Sequence, residues 1–121
     1  MKTCFTYIRT SMMSDEKICT GVILIKPDGK HLFFWSKSKV DLALSIMSWE
    51  NREGIKSIID MTYRAIESAK LGMEWTIEYT RKNDSGFISW DKPSPVSING
   101  DPEEYIKSVY NKYVLGPVAL S

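Results

Sequence analysis

With 121 residues, 43% of them hydrophobic and 26% charged, the chain is long enough to enclose one core and too apolar to stay disordered. A formal net charge of +1 excludes a global pull toward nucleic acid or an anionic membrane, so any basic patch must be local. The longest unbroken apolar run, Val22-Ile23-Leu24-Ile25, is far short of the roughly 20 residues of a membrane-spanning helix.

Lys2, Thr3, Thr6 and Arg9 interrupt every candidate signal-peptide core. The expectation is a single soluble, cytoplasmic α+β domain over residues 1–121, without a membrane contact. Residues 3–10 are rich in β-branched and aromatic types, as a strand requires. A polar loop follows over 11–15. Residues 17–26 form a second strand, apolar on both faces through Val22–Ile25, and so are expected at the centre of a sheet. Pro27-Asp28-Gly29 closes a tight hairpin, because proline presets the first turn position and glycine accepts the left-handed one. Residues 30–36 return as the third strand.

Residues 38–49 carry two patterns. Val40, Leu42, Leu44 and Ile46 alternate as in a strand, while Val40, Ala43, Leu44 and Met47 share a helical face; Asp41 and Ala43 favour the helix. From Arg52 onward, Ile55, Ile58, Ile59, Thr62, Tyr63 and Ile66 recur at three- and four-residue spacing, which makes a helix ending near Lys70 and Gly72. Over 73–80, Met73, Trp75, Ile77 and Tyr79 alternate with Glu74, Thr76, Glu78 and Thr80, which predicts a strand with one wet face. Asn83-Asp84-Ser85-Gly86 turns the chain into a short strand over 87–90. Residues 91–100, with Pro93, Pro95 and Gly100, are expected as an ordered loop or edge segment. Asp101 and Pro102 start a last helix, with Glu104 placed for a reciprocal cap, Tyr105, Ile106, Val109, Tyr110 and Tyr113 as its apolar stripe, and Gly116-Pro117 as its stop. The predicted order is β-β-β-α-β-β-α, with a possible second helix in the crossover: a mainly antiparallel sheet of about five strands packed by two or three helices.

Cys4 and Cys19 are the only cysteines. In a simple hairpin Cys4 faces Ile23 and Cys19 faces Ile8, about four residues or roughly 13 Å apart along the ladder, too far to bridge. Both are read as packing residues. His31, the single histidine, sits beside the hairpin turn opposite Ile25, a poor place for acid–base work. One histidine and two separated cysteines do not make a zinc site, and no glycine-rich phosphate loop is present. Glu74 and Glu78, four residues apart on a strand, would stand roughly 13 Å apart, wider than a glycosidase pair. No catalytic residue, cofactor or metal is implied.

Two surfaces remain. Register across the Pro-Asp-Gly turn puts Ile23, Ile25, Phe33 and Trp35 on one face, and Val22, Leu24, Leu32 and Phe34 on the other. Two or three helices would hardly cover both, leaving an apolar, Trp-bearing face for a protein partner or a homodimer. The expected function is therefore a non-catalytic protein-binding or regulatory module using Phe33, Trp35, Ile23 and Ile25. The alternative is a nucleic-acid-binding hairpin over 22–37, in which Lys26, Lys30, Lys37 and Lys39 neutralise phosphates around Phe33, Phe34 and Trp35. A small hydrolase without a recognisable motif is the third reading.

The segment Glu16-Lys17-Ile18-Cys19-Thr20-Gly21-Val22-Ile23-Leu24-Ile25, preceded by Tyr7-x-Arg9, resembles the opening of a family of small uncharacterised bacterial proteins. That family continues from a Tyr-x-Arg strand into Glu-x-x-Asn-Val-Gly-Val-Ile-Leu; this chain has Cys19 and Thr20 where Asn and Val are usual. Members are often encoded beside HipA-like kinases. The resemblance implies a bacterial, cytoplasmic, partner-dependent role, as in a toxin, defence or phage counter-defence system, and carries over no catalytic residue.

Overall fold

The computed structural model describes residues 1–11, 16–47, 52–69, 72–82 and 86–116. Most of the loop at 11–15, the turn at 83–85 and the expected stop at Pro117 lie outside the described residues. Strand β1 (Lys2–Arg9) pairs antiparallel with β2 (Lys17–Ile25), and β2 with β3 (His31–Trp35). Three helices follow, α1 (Lys37–Ile46), α2 (Arg52–Ser68) and α3 (Met73–Lys82). Strand β4 (Ile88–Trp90) and the two-residue β5 (Ser94–Pro95) then line the free edge of β1. Helix α4 (Pro102–Val109) runs on into a π-helical turn (Tyr110–Val114). The sheet order is β3-β2-β1-β4, with β5 also on β1: an antiparallel sheet of about five strands, packed by helices. This is an α+β architecture.

The β2–β3 hairpin keeps the predicted register, Ile25 opposite His31 through Gly21 opposite Trp35. Gly29 takes the left-handed conformation (φ 85°) that its place in the turn demands, and the Lys26 amide donates to the Lys30 carbonyl at 2.8 Å. Gly21 meets a different need. A Cβ there would stand 2.9 Å from the Phe34 carbonyl oxygen and 3.0 Å from Trp35 Cβ, so the strands approach closely only because it has none.

The β1–β2 ladder departs from the simple hairpin. Cys4 faces Ile23 as expected, but the register shifts after Thr6, so that Cys19 faces Tyr7 instead of Ile8. Thr20 is the extra residue of a β-bulge. A bulge reverses which face the following side chains occupy. Cys19 therefore packs beside Val22 and Leu24, while Cys4 lies in the core on the other side of the sheet. Both thiols are free, and the sheet separates them.

Residues 73–80 were expected as a strand, and this is corrected: they belong to α3. Positions i and i+4 share a face in both a strand and a helix, so buried Met73 and Ile77 satisfy either pattern. Trp75 decides between them. It would point inward with Met73 on a strand, and on the helix it is 71% exposed. Of residues 38–49, 38–46 are helical, Met47 follows the helix and 48–49 lie outside the described residues; Ser36 caps α1 by accepting from the Lys39 amide at 3.2 Å. Asp101 caps α4 by accepting from the Glu103 amide at 3.1 Å, with Pro102 at the first turn.

Helices α1, α2 and α3 lie on one face of the sheet. There Val40, Ala43, Leu44, Ile55, Ile59, Tyr63, Ile66, Met73 and Ile77 close over Cys4, Ile8, Ile23, Ile25, Phe33, Ile88 and Trp90. The opposite face is smaller: Ile106 and Val114 of the C-terminal helix cover Val22 and Leu24.

Candidate functional site: the crevice between α2 and α3

The face expected to stay open is closed. Ile23, Ile25 and Phe33 are buried under the three-helix layer, and Trp35 is half-buried against the edge of the Tyr63 ring, 5.1 Å between centroids. Its indole Nε1 donates to Glu67 Oε2 at 3.0 Å. The correction has a simple cause. Helices α1 and α2 seal that face: α1 packs on β2, and Tyr63 of α2 packs edge-on to both Phe33 and Trp35. The hairpin is apolar on both sides because both sides are core.

The basic hairpin does not assemble either. Lys26 and Lys30 flank the β2–β3 turn, whereas Lys37 and Lys39 sit at the start of α1, beyond the other end of β3. Five strand residues between them amount to roughly 17 Å. Phe33 packs edge-on to Tyr63 and Phe34 packs on Tyr110, so neither ring offers a free face for base stacking.

Groups with chemical potential are spent on structure. Tyr63 Oη lies 2.7 Å from Thr20 Oγ1 and 3.1 Å from Thr6 Oγ1, a buried hydroxyl cluster that the bulge at Thr20 creates. Burial pushes the Tyr63 phenol up to about 12, against smaller opposing effects of those two hydrogen bonds. Burial likewise raises the Cys4 thiol to about 12 and the Cys19 thiol to about 11, so neither is a thiolate near neutrality. His31 Nε2 donates to the Ile66 carbonyl at 2.6 Å, which ties the hairpin to α2. Glu74 pairs with Lys2, and Glu78 with Arg81 at 3.1 Å. Among the described residues no group of three or more His, Cys, Asp or Glu side chains could hold a metal ion.

Helix α2 is more interesting. At 3.6 residues per turn its core residues Ile55, Ile59, Tyr63 and Ile66 span an arc of about 80°. Ile58, Thr62, Ala65 and Ala69 occupy a neighbouring arc of about 60°, and Met61 lies just beyond it. A surface helix needs an apolar stripe only as wide as the core it covers. Here the stripe runs past the core onto the side that faces α3, leaving Ile58 49% and Met61 71% exposed. Thr62, Ala65, Ile66 and Ala69 of α2, Met73 and Thr76 of α3, and Trp90 of β4 line a crevice of about 300 Å³. Small side chains on α2 keep it open. Ile58 was visible in the sequence as part of the helical period, but the contribution of Trp90, from a distant strand, was not.

No protein-family model, no curated protein and no solved structure matches this chain.

Proposed function

We propose that the protein is a non-catalytic, cytoplasmic binding module that works by protein contact, through the outer side of α2 beside the crevice. The observation that carries this reading is the exposure of Ile58 and Met61 on the outer side of α2, beside the crevice-lining residues of the same helix. Two free cysteines agree with a reducing compartment, and no helix among the described residues is long and apolar enough to cross a membrane. Covering one such side chain is worth about 1.5–3 kcal/mol, so Ile58 and Met61 with their small neighbours supply the apolar centre of an interface.

Sedimentation of wild type and of the double variant Ile58→Lys/Met61→Lys tests this, alone and with lysate proteins that co-purify. Wild type self-associates or retains a partner, and the double variant does neither while its melting temperature stays close to wild type, since exposed substitutions change stability by only about 0.5 kcal/mol. A monomeric wild type that retains nothing, or a double variant that associates as wild type does, overturns the reading.

A further inference from the structure

Helix α2 separates its side chains by charge. At 3.6 residues per turn, Gly54, Ser57, Ile58, Met61, Ala65 and Ser68 fall within an arc of about 100° that carries no charged residue. All of them except Gly54 are exposed. The charged residues of the helix lie elsewhere round it. Lys56 pairs with Asp41 at 3.9 Å, and Glu67 accepts from the Trp35 indole at 3.0 Å. Glu53 and Arg64 differ from these. Both are exposed, both flank the uncharged arc on the side away from the crevice, and neither makes an ion pair among the described residues.

We infer that a second copy of this chain covers the arc, its α2 packed antiparallel to the first about a two-fold axis. This rests on the contact reading of α2 and names the partner. Antiparallel knobs-into-holes packing suits the order of side chains along the arc. With Ile58 opposite Met61 of the second copy, Ala65 falls opposite the second copy's Gly54. Bulk then meets bulk at the centre, while the small residues at the ends let the helices approach closely. Two-fold symmetry repeats both layers.

The charges choose the direction. In this register Arg64 stands within roughly 3 Å, along the helix axis, of the second copy's Glu53, two residues from the position directly opposite. Both lie on the same flank, which antiparallel helices bring together, and symmetry makes a second such pair. Parallel helices would instead set Arg64 against the flank bearing Thr62 and Ala69, which is uncharged, and leave both charges without partners. The chain therefore carries both halves of a complementary surface, an apolar centre with one cation and one anion at its border.

Glu53→Arg and Arg64→Glu test this, each sedimented alone and then mixed with the other. Wild type forms a dimer. Each variant alone opposes like charges at both sites and dimerises about 5–50-fold more weakly. The equimolar mixture recovers wild-type affinity, because one variant then brings two positive charges and the other two negative ones. In wild type prepared from labelled and unlabelled copies, nuclear magnetic resonance shows Ala65 of one copy touching Gly54 of the other. Within one helix these residues stand roughly 16 Å apart, so that contact arises only between copies.

Single variants as tight as wild type, a mixture no tighter than its components, or Ala65 touching Ala65 of the second copy overturns the antiparallel pairing and leaves the contact reading standing. A wild type that is monomeric alone yet holds a partner from lysate does the same. A wild type that holds neither itself nor a partner removes both. Should circular dichroism show that Glu53→Arg unwinds the first turn of α2, the Ala65–Gly54 contact in wild type decides alone.

Discussion

Ile23 and Leu24 are neighbours on β2, both fully buried, yet they belong to different halves of the molecule. Ile23 faces the three-helix layer, where seventeen buried residues form one cluster among the described residues. Leu24 faces α4 and the π-helical turn, where the buried cluster among the described residues has four. Burial of a single side chain is the same on the two faces; what differs is how many elements depend on it. The larger face joins the sheet to α1, α2 and α3, and aromatic rings tie it together around Tyr63, which contacts Phe33 and Trp35 edge-on. The smaller face holds one C-terminal segment. Loss of a core side chain should therefore disturb the whole fold on one side and mainly the docking of one helix on the other.

The largest effect is expected at Tyr63. Tyr63→Ala removes a fully buried ring and leaves Thr6 and Thr20 without their shared phenol, so thermal or urea unfolding should show a loss of about 3–5 kcal/mol in one cooperative transition. Ile106→Ala sharpens the contrast. Its cost should be about 2–3 kcal/mol, and hydrogen exchange should rise first in α4 while the β1–β2 amides stay protected. Equal loss of protection across both faces would show that the two clusters unfold as one unit.

A smaller effect follows from the thiols, one on each face. Burial holds Cys4 near 12 and Cys19 near 11, above the ordinary 9. The folded state therefore keeps protons that the unfolded chain releases, and their stabilising contribution is fully present below pH 9. It declines as pH rises from 9 through the folded values, where the folded thiols also ionise. Melting temperature should be steady from pH 7 to 8.5 and fall between 9 and 11, and replacing both cysteines with alanine should flatten that fall. A decline that is unchanged in the double variant would place its origin elsewhere.

Much of this architecture was legible wherever a local signal was strong. Pro27-Asp28-Gly29 set the turn, and the alternation on either side of it set the β2–β3 register residue by residue. The period of α2 was equally plain. Three features were not. A strand and a helix agree at i and i+4, so Met73 and Ile77 concealed the helical nature of α3, and only the environment of Trp75 separates the two patterns. The bulge at Thr20 has only the neighbouring Gly21 to announce it, and its hydroxyl fits Tyr63, forty-three residues away in sequence. The crevice depends on α3, whose Met73 and Thr76 form its far wall. Helices α1 and α2 seal the hairpin face bearing Phe33 and Trp35, and the exposed apolar surface lies on the outer side of α2.

That displacement of the binding surface from sheet to helix is the central claim, and photo-crosslinking tests it most directly. A photoreactive side chain is placed at Met61 in one protein and at Tyr113 in another; both positions are exposed, and they lie on opposite sides of the sheet. Expressed in the native host, the protein labelled at 61 should yield one discrete adduct, to a partner or to a second copy. Excess wild type should compete that adduct away, whereas the Ile58→Lys/Met61→Lys variant should not. No adduct at 61, adducts that resist competition, or the same discrete product from position 113 would contradict the account.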